Sequence, residues 1–83
     1  MRVEVKKRAQ KYMNERTEKD YNKIDKAIAL LEDWDGDIKE LEGRKNEYRL
    51  KISPYRIIFT YIKGDDQITV TKISTRGDAY KKG

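Results

Sequence analysis

The chain has no cysteine and no histidine among its 83 residues. Without cysteine there can be no disulfide or thiolate metal site, and no secretory context is implied. Without histidine the commonest general base and metal ligand is gone, and with it Ser-His triads, zinc hydrolases and two-histidine relays. No apolar run approaches the roughly 18 residues that a membrane-crossing helix needs, and no signal peptide opens the chain. A soluble cytoplasmic protein is expected. Repeats and low-complexity segments are also missing, so residues 1–83 read as one domain, near the lower end of what a single core holds together.

Charge is abundant. Lys and Arg number 20 against 15 Asp and Glu, a net charge of +5. Residues 1–42 carry 10 basic and 11 acidic side chains, whereas residues 43–83 carry 10 basic and only 4 acidic. The positive excess therefore sits wholly in the second half, which suits a nucleic acid or an acidic protein as partner.

Val3 and Val5 alternate with Arg2 and Glu4, as in an opening strand. Val5, Ala9, Tyr12 and Met13 then fall on one face of a helix over Lys6 to Glu15. Thr17 is placed to cap a second helix, with Asp20 three residues on. That helix runs from about Glu18 to Asp33, its apolar stripe formed by Tyr21, Ile24, Ala27, Ile28 and Leu31, with Leu30 and Trp34 widening it. Ile38 and Leu41 lie in a polar connection closed by Gly43.

Tyr48, Leu50 and Ile52 alternate with Arg49 and Lys51, and Tyr55 to Ile62 is rich in β-branched and aromatic residues. Strands meeting at Ser53 and Pro54 would set Lys51 opposite Arg56 and Arg49 opposite Ile58. A turn at Lys63 to Asp66 then leads to a strand over Gln67 to Ile73, with Phe59 opposite Val70, Tyr61 opposite Ile68 and Ile73 opposite Arg56. The expected fold is α+β, a small antiparallel sheet with a two-helix hairpin on one face, in the order β-α-α-β-β-β. Ile57, Phe59, Tyr61, Ile68 and Val70 would face the helices. Arg49, Lys51, Arg56, Ile58, Thr60, Thr69, Thr71 and Ile73 would face outward.

Like charges directly opposite each other destabilise a sheet, so Lys51 facing Arg56 suggests cations kept for an anionic ligand. Arg76 and Tyr80 follow the last strand and complete a set of four cations and a phenol. Such a set suits an RNA phosphodiester. Arginines clamp phosphate oxygens and stabilise added charge in a transition state. A lysine or tyrosine flanked by cations can take the 2′-hydroxyl proton. No metal is needed, because RNA carries its own nucleophile. Spacing alone favours a solvated basic face that binds polyanions and cleaves nothing.

Three motifs of this region resemble the RelE/ParE superfamily of bacterial toxins, and its RelE branch in particular. They are Tyr48-Arg49-Leu50-Lys51, Tyr55-Arg56-Ile57-Ile58-Phe59, and a closing strand with Ile73, Arg76 and Tyr80. Leu41, Glu42 and Gly43 ahead of the basic strand, the opening strand and the helical hairpin extend the resemblance over nearly the whole chain.

The resemblance implies the toxin of a type II toxin–antitoxin pair. Such a toxin is a ribosome-dependent, metal- and cofactor-independent endoribonuclease that cuts mRNA in the A site and is neutralised by a cognate antitoxin protein. Lys51 then matches a general base, Arg56 the arginine that stabilises the scissile phosphate, Arg76 an acid toward the leaving 5′-oxygen, and Tyr80 the residue that orients the 2′-hydroxyl or stacks on a base. Arg49 stands where studied members have a second lysine. It would bind RNA rather than act as a base, together with Arg44, Lys45, Lys81 and Lys82. The spacing from Arg76 to Tyr80 is shorter than in some members. Two alternatives stand beside this reading: a ParE-like gyrase inhibitor, which shares the fold, and a non-catalytic basic binding module. Arg76-Gly77-Asp78 spells an adhesion tripeptide by coincidence, and Asp33, Asp35 and Asp37 lack the pattern of a calcium loop.

Overall fold

The computed structural model describes residues 1–62 and 64–75. Its elements are β1 (Arg2–Val5), α1 (Lys7–Asn14), α2 (Glu18–Leu31), β2 (Asp37–Glu40), β3 (Glu47–Ile52), β4 (Tyr55–Tyr61) and β5 (Gln67–Thr75). The five strands form one sheet in the order β1-β5-β4-β3-β2. The α+β class and the helical hairpin are as expected, but the sheet is mixed rather than purely antiparallel. β1 runs parallel to β5, with Arg2 opposite Gln67 and Val5 opposite Val70. β2 is an additional strand where the sequence suggested only a connection. It pairs antiparallel with β3, Ile38 opposite Leu50.

The helices form where their apolar stripes can be covered. Ala9 and Met13 of α1 and Ile24, Ala27, Ile28 and Leu31 of α2 are buried against Leu50, Ile57, Phe59, Ile68, Val70 and Ile73 of the sheet. Leu30, on the edge of the α2 stripe, is 40% exposed. The Thr17 hydroxyl oxygen accepts the Asp20 backbone N–H at 3.2 Å, satisfying one of the helix's first donors.

α2 stops at Leu31, two residues earlier than its stripe suggested. Trp34 therefore lies beyond the helix, in a left-handed backbone conformation (φ 54°). From there its ring packs on Tyr48, Phe59 and Tyr61 at 5.0–5.7 Å between centroids. Gly36 follows with φ 106°, and a Cβ at that position would lie 2.8 Å from Leu50 Cδ1. Only glycine lets the chain pass this close to the core on its way into β2.

Two hydrogen bonds tie α2 to the β3–β4 hairpin, and one of them, from Lys23 Nζ to the Ser53 carbonyl at 3.0 Å, reaches the turn itself. Tyr55, 4% exposed, donates its phenolic O–H to the Asp20 carboxylate at 2.6 Å. That bond, reinforced by burial, raises the Tyr55 pKa above its ordinary 10.0. The folded state thus favours the neutral phenol. Its contribution to stability is complete below pH 10.0, the ordinary value, and is lost as pH rises through the raised one. Tyr55→Phe is expected to cost about 1.5 kcal/mol at neutral pH, the lower end for a bond to a charged group because Asp20 is only half-buried. Denaturant titrations at pH 7 and above 10 should show the difference between the two proteins shrinking at high pH.

Candidate functional site

With the helices on one face, no helix or further strand among the described residues covers the other face of the sheet. The register sets its grid. On β3 and β4, Lys51 stands opposite Arg56 and Arg49 opposite Ile58, the pairing read from the sequence. β2 extends these rows, with Asp37 opposite Lys51 and Lys39 opposite Arg49.

β5 departs from the expected register. Phe59 faces Val70 and Tyr61 faces Ile68 as anticipated, but a β-bulge follows, and Ile58 faces Lys72, Ile57 faces Ile73 and Arg56 faces Ser74. Thr71 is the extra residue. Its hydroxyl donates to the Ile58 carbonyl at 3.3 Å, where the ladder is interrupted. The expectation that Ile73 opposes Arg56 on the outer face is therefore corrected. Ile73 is 3% exposed and belongs to the core; Ser74 takes its place opposite Arg56, and the bulge turns Lys72 outward opposite Ile58. A signal for this was present in the sequence: apolar residues at 68, 70 and 73 are spaced by two and then by three.

The outer face thus has two neighbouring rows. Lys51, Arg56 and Ser74 form one across β3, β4 and β5; Arg49, Ile58 and Lys72 form the next. Lys51 is exposed and Arg56 half-buried. Side chains directly opposite on antiparallel strands have Cβ atoms about 4.5–5.5 Å apart, so the two cations can address one phosphate.

The side chain of Arg49 is only 16% exposed. Its guanidinium lies 3.9 Å from the Asp37 carboxylate and 3.5 Å from the Asp37 carbonyl. Arg49 is held along the β2 edge, which fits a binding role. A cleft of about 320 Å³ opens over this part of the sheet, lined by Arg49, Arg56, Ile58, Lys72 and Ser74 and walled by Leu41, Glu42 and Arg44. Arg44 reaches the cleft from the loop before β3, 3.5 Å from Glu47. Lys45 is exposed in the same loop but does not line the cleft. Arg76, Tyr80, Lys81 and Lys82 lie outside the described residues. β5 reaches Thr75, opposite Tyr55, the neighbour of Arg56.

This arrangement can bind a polyanion and place two cations on one of its phosphates. Among the described residues no cluster of histidine, cysteine or carboxylate side chains is arranged to hold a metal ion, and no helix is long and apolar enough to cross a membrane.

No family model matches the sequence, and no curated protein matches it significantly. Solved structures do match. The archaeal RelE–RelB complex from Pyrococcus horikoshii superimposes with a TM-score of 0.76 at 24% identity, over 92% of this chain and 94% of that one. The RelB–RelE antitoxin–toxin complex from Methanococcus jannaschii gives 0.76 at 22% identity, over 94% and 95%. The isolated RelE toxin of E. coli gives 0.74 at 17% identity, over 89% and 82%. Over nearly its whole length, this chain has the RelE fold.

Proposed function

We propose that the chain is the toxin of a toxin–antitoxin pair and acts as a metal-independent endoribonuclease on mRNA at the ribosome. The observation that carries this reading is Lys51 directly opposite Arg56 on the outer face of a RelE-fold sheet. Neighbours of this fold are RelE–RelB complexes, which supports an antitoxin protein as the partner.

In the proposed reaction the 2′-oxygen attacks the adjacent phosphorus in line. Lys51 accepts the 2′-hydroxyl proton, and Arg56 binds the non-bridging oxygens as they gain charge. The P–O5′ bond breaks, Arg76 supplies a proton to the departing oxygen, and the products are a 2′,3′-cyclic phosphate and a 5′-hydroxyl. Tyr80 orients the attacking ribose. Arg49, with Arg44 and Lys45, holds flanking RNA, and Lys81 and Lys82 extend the basic tail. Such a catalyst works mainly through positioning and charge, which suits a chain without histidine.

Inducing the protein in growing bacteria and mapping mRNA 5′ ends tests the reading. Cuts in phase with codons are expected for the wild type and should vanish in Lys51→Ala and Arg56→Ala. Growth arrest with intact mRNA and broken DNA would instead support gyrase as the target. Absence of any arrest would favour a non-catalytic binding module.

A further inference from the structure

Lys72 is the cation that the bulge brings to the outer face. It is exposed, and among the described residues it makes no ion pair. It lines the 320 Å³ cleft together with Arg49, Arg56 and Ile58, and among the described residues Glu42 is the one carboxylate on the cleft wall. Ile58 lies between Arg49 on β3 and Lys72 on β5.

Strands two apart in a sheet are separated by about 9–10 Å, so Arg49 and Lys72 do not crowd each other as Lys51 and Arg56 do. Ile58 forms a half-buried apolar floor between them. The row containing Lys72 is displaced from the Arg56 row by two residues along the strand, or about 6.8 Å. That separation suits the next phosphate of a single strand rather than the same one.

We infer that Lys72 binds a second RNA phosphate, adjacent to the one held by Arg56, with the intervening nucleoside over Ile58. The inference rests on the reading of this face as an RNA site. It adds a phosphate contact on β5 to the flanking contacts proposed for Arg49, Arg44 and Lys45.

The test is binding of a single-stranded RNA whose 2′-hydroxyls are methylated, so that it cannot be cleaved, measured over a range of salt concentrations. Each phosphate contact to a single strand contributes about 0.7 to the slope of log affinity against log salt. Lys72→Ala is expected to lower that slope by about 0.7, with thermal melting unchanged because the side chain is exposed. Lys26→Ala removes the same charge from the solvent side of α2 and is expected to leave the slope at its wild-type value.

An unchanged slope in Lys72→Ala, with wild-type binding intact, overturns the second-phosphate contact and leaves the RNA site standing. Equal losses in both variants would reduce the effect to net charge and overturn it too. If the wild type shows no salt-dependent binding, the inference and the RNA reading fall together.

Discussion

Replacing Lys51 by alanine is expected to slow cleavage of ribosome-bound message by about 100- to 10,000-fold, the usual contribution of a positioned general base. Lys51 is exposed on β3 and makes none of the described side-chain hydrogen bonds or ion pairs, so the variant should fold and melt like the wild type. Arg56 offers a contrast on the same phosphate. Arg56→Lys keeps the charge but removes the planar fork that can hold two phosphate oxygens at once. Its rate should fall by about 100-fold or more, in the range found when one donor to a developing oxyanion is lost. Single-turnover kinetics on programmed ribosomes measure both. If Lys51→Ala cleaves at the wild-type rate, Lys51 is not the base.

The largest effect on stability is expected at Phe59. Its side chain is fully buried, stacks on Tyr48 with ring centroids 5.6 Å apart, and takes the edge of Trp34 at 5.7 Å. Truncating such a residue to alanine costs about 3–5 kcal/mol, because the transfer energy is lost and a cavity remains. At about 0.05–0.15 kcal/mol per residue, a chain of this length has only about 4–12 kcal/mol of stability in total. Phe59→Ala should therefore unfold far more easily, or fail to fold at 37 °C. Trp34 is the sole tryptophan and sits on Phe59, so its fluorescence in a denaturant titration reports the change directly. An unchanged midpoint would mean that the core is not organised around this ring.

Most of the core, and the pairing of Lys51 with Arg56, are legible in the sequence. The 3.6-residue spacing of Ala9 with Met13 and of Ile24, Ala27, Ile28 and Leu31 marked the buried helix faces. The short turn at Ser53 and Pro54, with the alternation in β3, sets the register that pairs Lys51 with Arg56. β2 escaped because a four-residue strand with one inward apolar residue, Ile38, hardly differs in pattern from a polar loop. The parallel pairing of β1 with β5 was hidden because an alternating edge strand does not say which strand it joins, or in which direction. Trp34 continued the α2 stripe on paper, yet the left-handed turn and not the helix delivers its ring to the core. Lys72 is hidden in the sequence because the bulge at Thr71 adds one residue, which exchanges the faces of all that follow.

The parallel pairing of β1 with β5 has a consequence for the protein's own synthesis. Residue 2 finds its partner at residue 67, and α1 packs on β5 as well. Contacts between such distant parts of a chain form late. Until a ribosome has made β5, β1 and α1 lack the strand on which they chiefly pack. Even after β5 is translated, it must clear the exit tunnel before β1 and α1 can dock. Until then the face that presents Lys51 and Arg56 lacks the strand that carries Lys72.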